Sequence, residues 1–194
     1  PELPIYMGKM AKEIASELAN HLSTVSVEHR KMAERLNNVN TFVPRKHFTF
    51  GEFDITLIVV DHSAFDAYAF CIKAKELKVF HTGDFRKHGF RSGKLSTVIE
   101  RYVERADYIV CEATNVNRPE ATLIPEHELQ KDFEEAFTEN KYNVAYVSST
   151  NIDRLFGLYH AAIRANRPFY VDAYQKRIMD IVAGRDKRRK ADRI

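Results

Sequence analysis

The chain has 194 residues, 44% of them hydrophobic and 29% charged, with a formal net charge of +3. That is enough for one sizeable core, or for one domain plus a piece of another, at the composition of an ordinary soluble globular protein. The balance of 30 basic against 27 acidic residues is too even to argue for nucleic-acid binding by net charge, and no apolar run approaches the ~20 residues of a membrane helix.

In chain order, residues 8–38 read as two helices. Ala11, Ile14, Ala15, Leu18 and Leu22 recur at three- and four-residue steps and form one apolar stripe. Val27, Met32, Ala33 and Leu36 continue it up to a stop at Asn37-Asn38. From Thr41 the pattern changes to short β runs at about 41–43, 48–50, 53–60, 67–73 and 77–82. Ile55 to Val60 is almost continuously apolar, as a strand covered on both faces would be. Residues 95–105 predict an amphipathic helix with Val98, Ile99 and Tyr102 inward, followed by a strand over 107–111 and an irregular segment through Pro119 to Pro125. A helix is expected over 126–140, with Leu129, Phe133 and Phe137 at four-residue spacing. Beyond it, a strand over 143–148, a helix over 151–165 and a strand over 168–171 predict a βαβ unit with parallel strands. A last helix begins near Tyr174 and reaches Gly184, and the tail RDKRRKADRI reads as a solvated helix end or a frayed terminus.

Cys71 and Cys111 both fall inside apolar strand-like runs. They read as buried free thiols, and two cysteines without a disulfide framework point to a reducing, cytoplasmic setting. The chain opens on Pro1-Glu2-Leu3 with neither an initiator Met nor a signal-peptide pattern, and reads as a fragment of a longer protein.

Chemistry concentrates where strands end. His62 follows the apolar run ending at Asp61, and Asp84 follows Gly83, 22 residues downstream. A neutral imidazole on a rigid strand end suits Zn²⁺, and a carboxylate can bridge two cations ~3.5–4 Å apart. Against these stand a loop histidine and a β-turn aspartate, both common uses of those residues. Glu112 closes the run DYIVCEA, either as an exposed strand-end carboxylate or as a group supporting a site. Ser148, Ser149, Thr150 and Asn151 lie between a strand and a helix, where backbone N–H groups can hold an anion or the helix is simply capped. His81 and His88 flank the Asp84 loop, Arg86 is placed to neutralise Asp84, and His21, His29, His47, His127 and His160 show no ligand spacing.

The runs VVDHSAFDAYAF and HTGDFRKHGF resemble two consecutive metal-ligand motifs of the metallo-β-lactamase fold, in the form found in ribonuclease J and its β-CASP relatives. CEATN resembles the first of the extra β-CASP motifs. The likeness extends from the helices before Thr41 to about Val182. It implies an α/β fold in which residues 1–140 are the second half of an αββα sandwich and residues 141–194 begin a β-CASP-like α/β domain. It also implies that His62 and Asp84 are metal ligands, with Asp84 bridging two divalent ions (zinc first, manganese second), and that Glu112 orients them. Ser148 to Asn151 would face the backbone of a single-stranded RNA.

Several departures limit that implication. Phe65-Asp66-Ala67 replaces the Pro-Gly form usual after His62-Ser63, and Asp153 stands where a His usually precedes Arg154. The His-x-His-x-Asp-His run of a complete member is absent, as are the later β-CASP histidines. Two ligands cannot fill a dinuclear centre, so the chain alone is expected to be inactive. A half sandwich would also bare one sheet face and favour homo-oligomers or association with the missing half. The leading expectation is a fragment of a metal-dependent phosphodiesterase acting on RNA. The alternatives are an ester or thioester hydrolase of the same fold and a non-catalytic scaffold that lost its metal.

Overall fold

A computed structural model describes residues 3–43, 47–114, 116–117 and 123–191, the last seven of these as backbone alone. The expected irregular stretch around Pro119, and the final three residues of the tail, lie outside the described residues. The protein is a mixed α/β structure. β1 (Tyr6–Gly8) and β2 (Asn40–Phe42) form a two-stranded parallel sheet, joined by the helices α1 (Lys9–Leu22) and α2 (Val27–Asn37). A second sheet has five strands in sequential order: β3 (His47–Phe50), β4 (Phe53–Val59), β5 (Tyr68–Ala74), β6 (Leu77–His81) and β7 (Tyr108–Val110). All its neighbours are antiparallel except β6 and β7.

The period-2 alternation of β4 and β5 assigns each face of the five-stranded sheet to a different neighbour. Ile58, Ala69, Cys71 and Phe80 form one buried cluster, against which Val98, Tyr102 and Val103 pack. On the other face, Phe42 of β2 meets Tyr68 edge-on at a centroid distance of 5.1 Å and Phe70 at 6.3 Å, and Tyr6 stacks on Phe48 at 6.0 Å. The small β1–β2 sheet therefore covers part of the face that the sequence suggested would be bare. What remains uncovered lies at the margins, in Phe50, Phe53, Leu77 and all three residues of β7.

The helices close the molecule. Ala19, Leu36 and Val39 hold the α1–α2 hairpin together. α4 (Glu126–Glu139) and α5 (Ile152–Arg164) are neighbours, and α6 (Ala173–Ala191) returns to α1. Met10 and Ile14 of α1 share one buried cluster with Ile152, Ile178 and Val182, so residues before and after position 140 share apolar packing.

Four expectations are corrected. The strands expected over 143–148 and 168–171 are absent: neither segment joins a ladder, and the predicted strand–helix–strand unit keeps only its helix. The helix expected over 95–105 is α3 (Leu95–Val98), preceded by a 3₁₀ turn at Ser92–Lys94 and followed by a π turn at Ile99–Val103; this places Ile99 outward while Val98 and Tyr102 remain inward. Cys71 is buried but Cys111 is exposed, since β7 is an edge strand. Arg86 does not neutralise Asp84, as described below.

One long-range bond explains a sequence departure. Gly8 offers no side chain to cap α1, and the Asp66 carboxylate supplies the cap by accepting from Met10 N–H at 2.8 Å and Ala11 N–H at 3.3 Å. Asp66 has φ of +67° and is gripped by the Tyr68 hydroxyl. A side chain at position 8 would place its Cβ 2.3 Å from Asp66 Oδ2, so the glycine leaves room for the remote cap. Asp66→Ala should cost about 1–2 kcal/mol, whereas Asp66→Asn, which keeps an acceptor, should cost less. Urea denaturation checks this, and equal stability of wild type and the Ala variant would remove the cap from the account.

Candidate functional site

The end of β4, the loop after β6 and the segment after β7 emerge at the same edge of the sheet, because β4, β5 and β6 are consecutive neighbours and β7 runs parallel to β6. Their side chains meet the start of α5 around a cavity of about 440 Å³. His62, Asp84, Glu112 and Asn151 all line it, so four of the seven residues singled out in the sequence share one wall system. Ser148 and Thr150 do not line it; their hydroxyls lie 3.1 Å apart and bond to each other. Ser149 is likewise absent from the lining. Asn151 Oδ1 accepts from Arg154 N–H at 3.2 Å, so its first role is to cap α5.

Local geometry holds each candidate. Gly83 has φ of +57°, and a Cβ there would fall 2.3 Å from the Tyr68 carbonyl oxygen; this close turn delivers Asp84 to the cavity. Glu112 Oε1 accepts the Phe85 N–H at 2.9 Å and ties the β7 end to the Asp84 loop. That bond, then a Thr114 hydroxyl, hold the Glu112 carboxyl below its usual value against the opposing effect of burial.

His62 is engaged differently from a ready metal ligand. Its Nδ1 accepts the Ala64 N–H at 3.2 Å, so the neutral ring carries its proton on Nε2. Binding an ion requires that proton to leave or the Ala64 bond to break. Among the described residues, no three His, Cys, Asp or Glu side chains stand where they could hold a metal ion. The described residues alone do not fit a dinuclear centre.

Sequence reasoning missed the charge cluster that shares this cavity. Arg86 turns away from Asp84: its Nη1 donates to Glu126 at 3.0 Å, its Nε lies 3.4 Å from Asp61, and its Nη2 bonds Asp153. Arg154 donates to both oxygens of Glu126, at 3.0 and 3.2 Å. Glu126, 2% exposed, opens α4, where an acidic residue is ordinary, so nothing in the sequence marked it as buried. Burial raises the Asp153 carboxyl above its usual value, outweighing the guanidinium groups of Arg91 and Arg86. Asp61 keeps one buried oxygen without a hydrogen-bond partner, and a Cβ on Gly89 would reach within 2.2 Å of its other oxygen. His88 also lines the cavity, and its Nδ1 is buried without a partner.

No protein-family model matches the chain. Among solved structures, the chain is similar to a crystallised protein of unknown function from Enterococcus faecalis V583, with a TM-score of 0.74 at 18% identity. The alignment covers 95% of this chain and 44% of the other, so the chain spans less than half the length of that protein. The likeness is one of fold. No described helix is long and apolar enough to cross a membrane.

Because its carboxyl is depressed, Glu112 contributes stability that is present above the usual glutamate value and is lost as pH falls through the lowered one. In a carboxyl ¹³C titration Glu112 should therefore titrate below the surface glutamates, and the stability gap between wild type and Glu112→Gln should close over that acid range. Titration of Glu112 together with the surface glutamates would break this assignment.

Proposed function

We propose that this chain is part of a metal-dependent phosphodiesterase resembling ribonuclease J. It supplies His62 and Asp84 to a centre for two divalent ions, zinc first and manganese second. Residues 1–140 would be the second half of a metallo-β-lactamase sandwich and residues 141–194 the start of a β-CASP-like domain. The observation that carries this reading is the convergence of His62, Asp84 and Glu112, from three separate strand ends, on one cavity that α5 closes with Asn151. Such a centre needs further donors, which the resemblance assigns to a His-x-His-x-Asp-His run that this chain does not contain. Single-stranded RNA is the substrate class, and without those donors the chain is inactive.

One observation favours a second reading, a scaffold that keeps the fold without the metal. His62 Nδ1 is already satisfied by backbone, and no described cluster of three donors exists. Metal uptake separates the two.

In the full-length protein, His62→Ala and Asp84→Ala should each lower zinc or manganese content and reduce cleavage of single-stranded RNA by about 100-fold or more. Elemental analysis with a gel-based cleavage assay reads both. Metal content and cleavage left unchanged in both variants would defeat the hydrolase, and a wild type that takes up no metal would favour the scaffold.

A further inference from the structure

Three guanidinium groups and three carboxylates form one charge cluster, which contributes Arg86, Glu126 and Arg154 to the cavity lining. Arg86 contacts Asp61, Glu126 and Asp153; Arg154 contacts Glu126; Arg91 lies 3.6 Å from Asp153. The side chains of Arg86, Asp61 and Glu126 are 10%, 3% and 2% exposed, so these charges exchange little with water. The six residues come from four places: the end of β4, the loop after β6, the first residue of α4 and the first turn of α5. Arg86 stands at the centre, two residues from Asp84, and its own N–H donates to the Asp61 carbonyl at 2.8 Å. Arg91 also donates to the His62 carbonyl at 3.3 Å. The Ile152 N–H at the start of α5 reaches the Ser63 carbonyl at 3.1 Å.

We propose that Arg86 is a positioning residue that locks the Asp84 loop to the first turn of α5, so that the His62–Asp84 wall and the Asn151 wall of the cavity move as one body. A planar fork with several donors can reach three carboxylates at once, which the single ammonium of a lysine cannot. Asp153 is the matching partner on α5: its carboxylate bonds Arg86 and faces Arg91, which accounts for an acidic residue at this place. That the cavity is a metal and substrate site rests on the function proposed above; the lock itself does not.

The test uses the full-length protein with Arg86→Lys, Asp153→Asn and the double variant, all conservative in size. Amide hydrogen exchange over residues 84–91 and 151–155 is read beside global thermal stability, together with affinity for Zn²⁺ and Mn²⁺ by titration calorimetry. Each single variant should speed exchange in both segments by about tenfold while core strands β4 and β5 keep their rates. The effects should be less than additive in the double variant, since both substitutions disturb the shared Arg86–Asp153 link. Metal affinity should fall between about 10- and 100-fold, a readout that a purely structural role would not move at unchanged melting temperature. Exchange that quickens only in the substituted segment, or everywhere in proportion to lost stability, would overturn the lock, as would additive effects in the double variant. If the unsubstituted protein takes up neither metal, the hydrolase reading fails and exchange alone decides the lock.

Discussion

The structure around the cavity depends on the burial of Glu126. Burying a carboxyl group with only 2% of its side chain exposed is costly unless opposite charge and hydrogen bonds replace water. Arg86 and Arg154 provide both, from the loop after β6 and from α5. The Glu126 N–H also donates to the His88 carbonyl at 2.8 Å, which fixes the start of α4 against the same loop. Once that carboxylate is inside, the Asp84 loop, α4 and α5 have a single way to meet. An apolar set of similar volume could be as stable. The contribution of the charges therefore lies in which surfaces meet, more than in how tightly they hold.

A second constraint acts around the start of α1. Two three-residue strands such as β1 and β2 cannot stand alone in water. They persist because α1 and α2 bury Ala19, Leu36 and Val39 beneath them and because Phe42 reaches the aromatic rings of Tyr68 and Phe70 on β5. Asp66 connects this to the candidate site. It lies in the same β4–β5 connection as His62, four residues on, and it caps α1. The turn that presents His62 is thereby tied to the helix that packs on α5 and α6.

The sheet was legible in the sequence where alternation was strong. β4, β5 and β6 fall within a residue or two of expectation, because their registers bury Ile58, Ala69, Cys71 and Phe80 on one face, and a one-residue slip would expose all of them. The segments 143–148 and 168–171 read as strands for the same local reason. Local pattern, however, does not supply a neighbour, and a strand is defined by its partner. Val144 and Tyr146 stand fully exposed as a result. The convergence of His62, Asp84 and Glu112 followed from three strand ends at one sheet edge, a geometry that residue order could suggest. The buried cluster could not be read. Its six members lie as far as 93 positions apart, from Asp61 to Arg154, and each looks like a surface charge in its own segment.

The division of charge explains why the cavity keeps an acidic wall. Glu126 lines it, but both of its oxygens are taken by Arg86 and Arg154, so it adds little negative potential. Glu112 spends one oxygen on the Phe85 N–H, a neutral donor, and retains its charge. Arg86, the cation nearest to Asp84 in sequence, also lines the cavity, but its guanidinium is taken up by Asp61, Glu126 and Asp153. Asp84 and Glu112 are thus left facing the same space as His62, with no described ion pair between Arg86 and Asp84 to cancel them. Like charges held together on a wall favour a cation between them. The charge cluster and the cavity are therefore parts of one arrangement: Arg86 and Arg154 line the cavity, but their guanidinium groups are engaged by Asp61, Glu126 and Asp153.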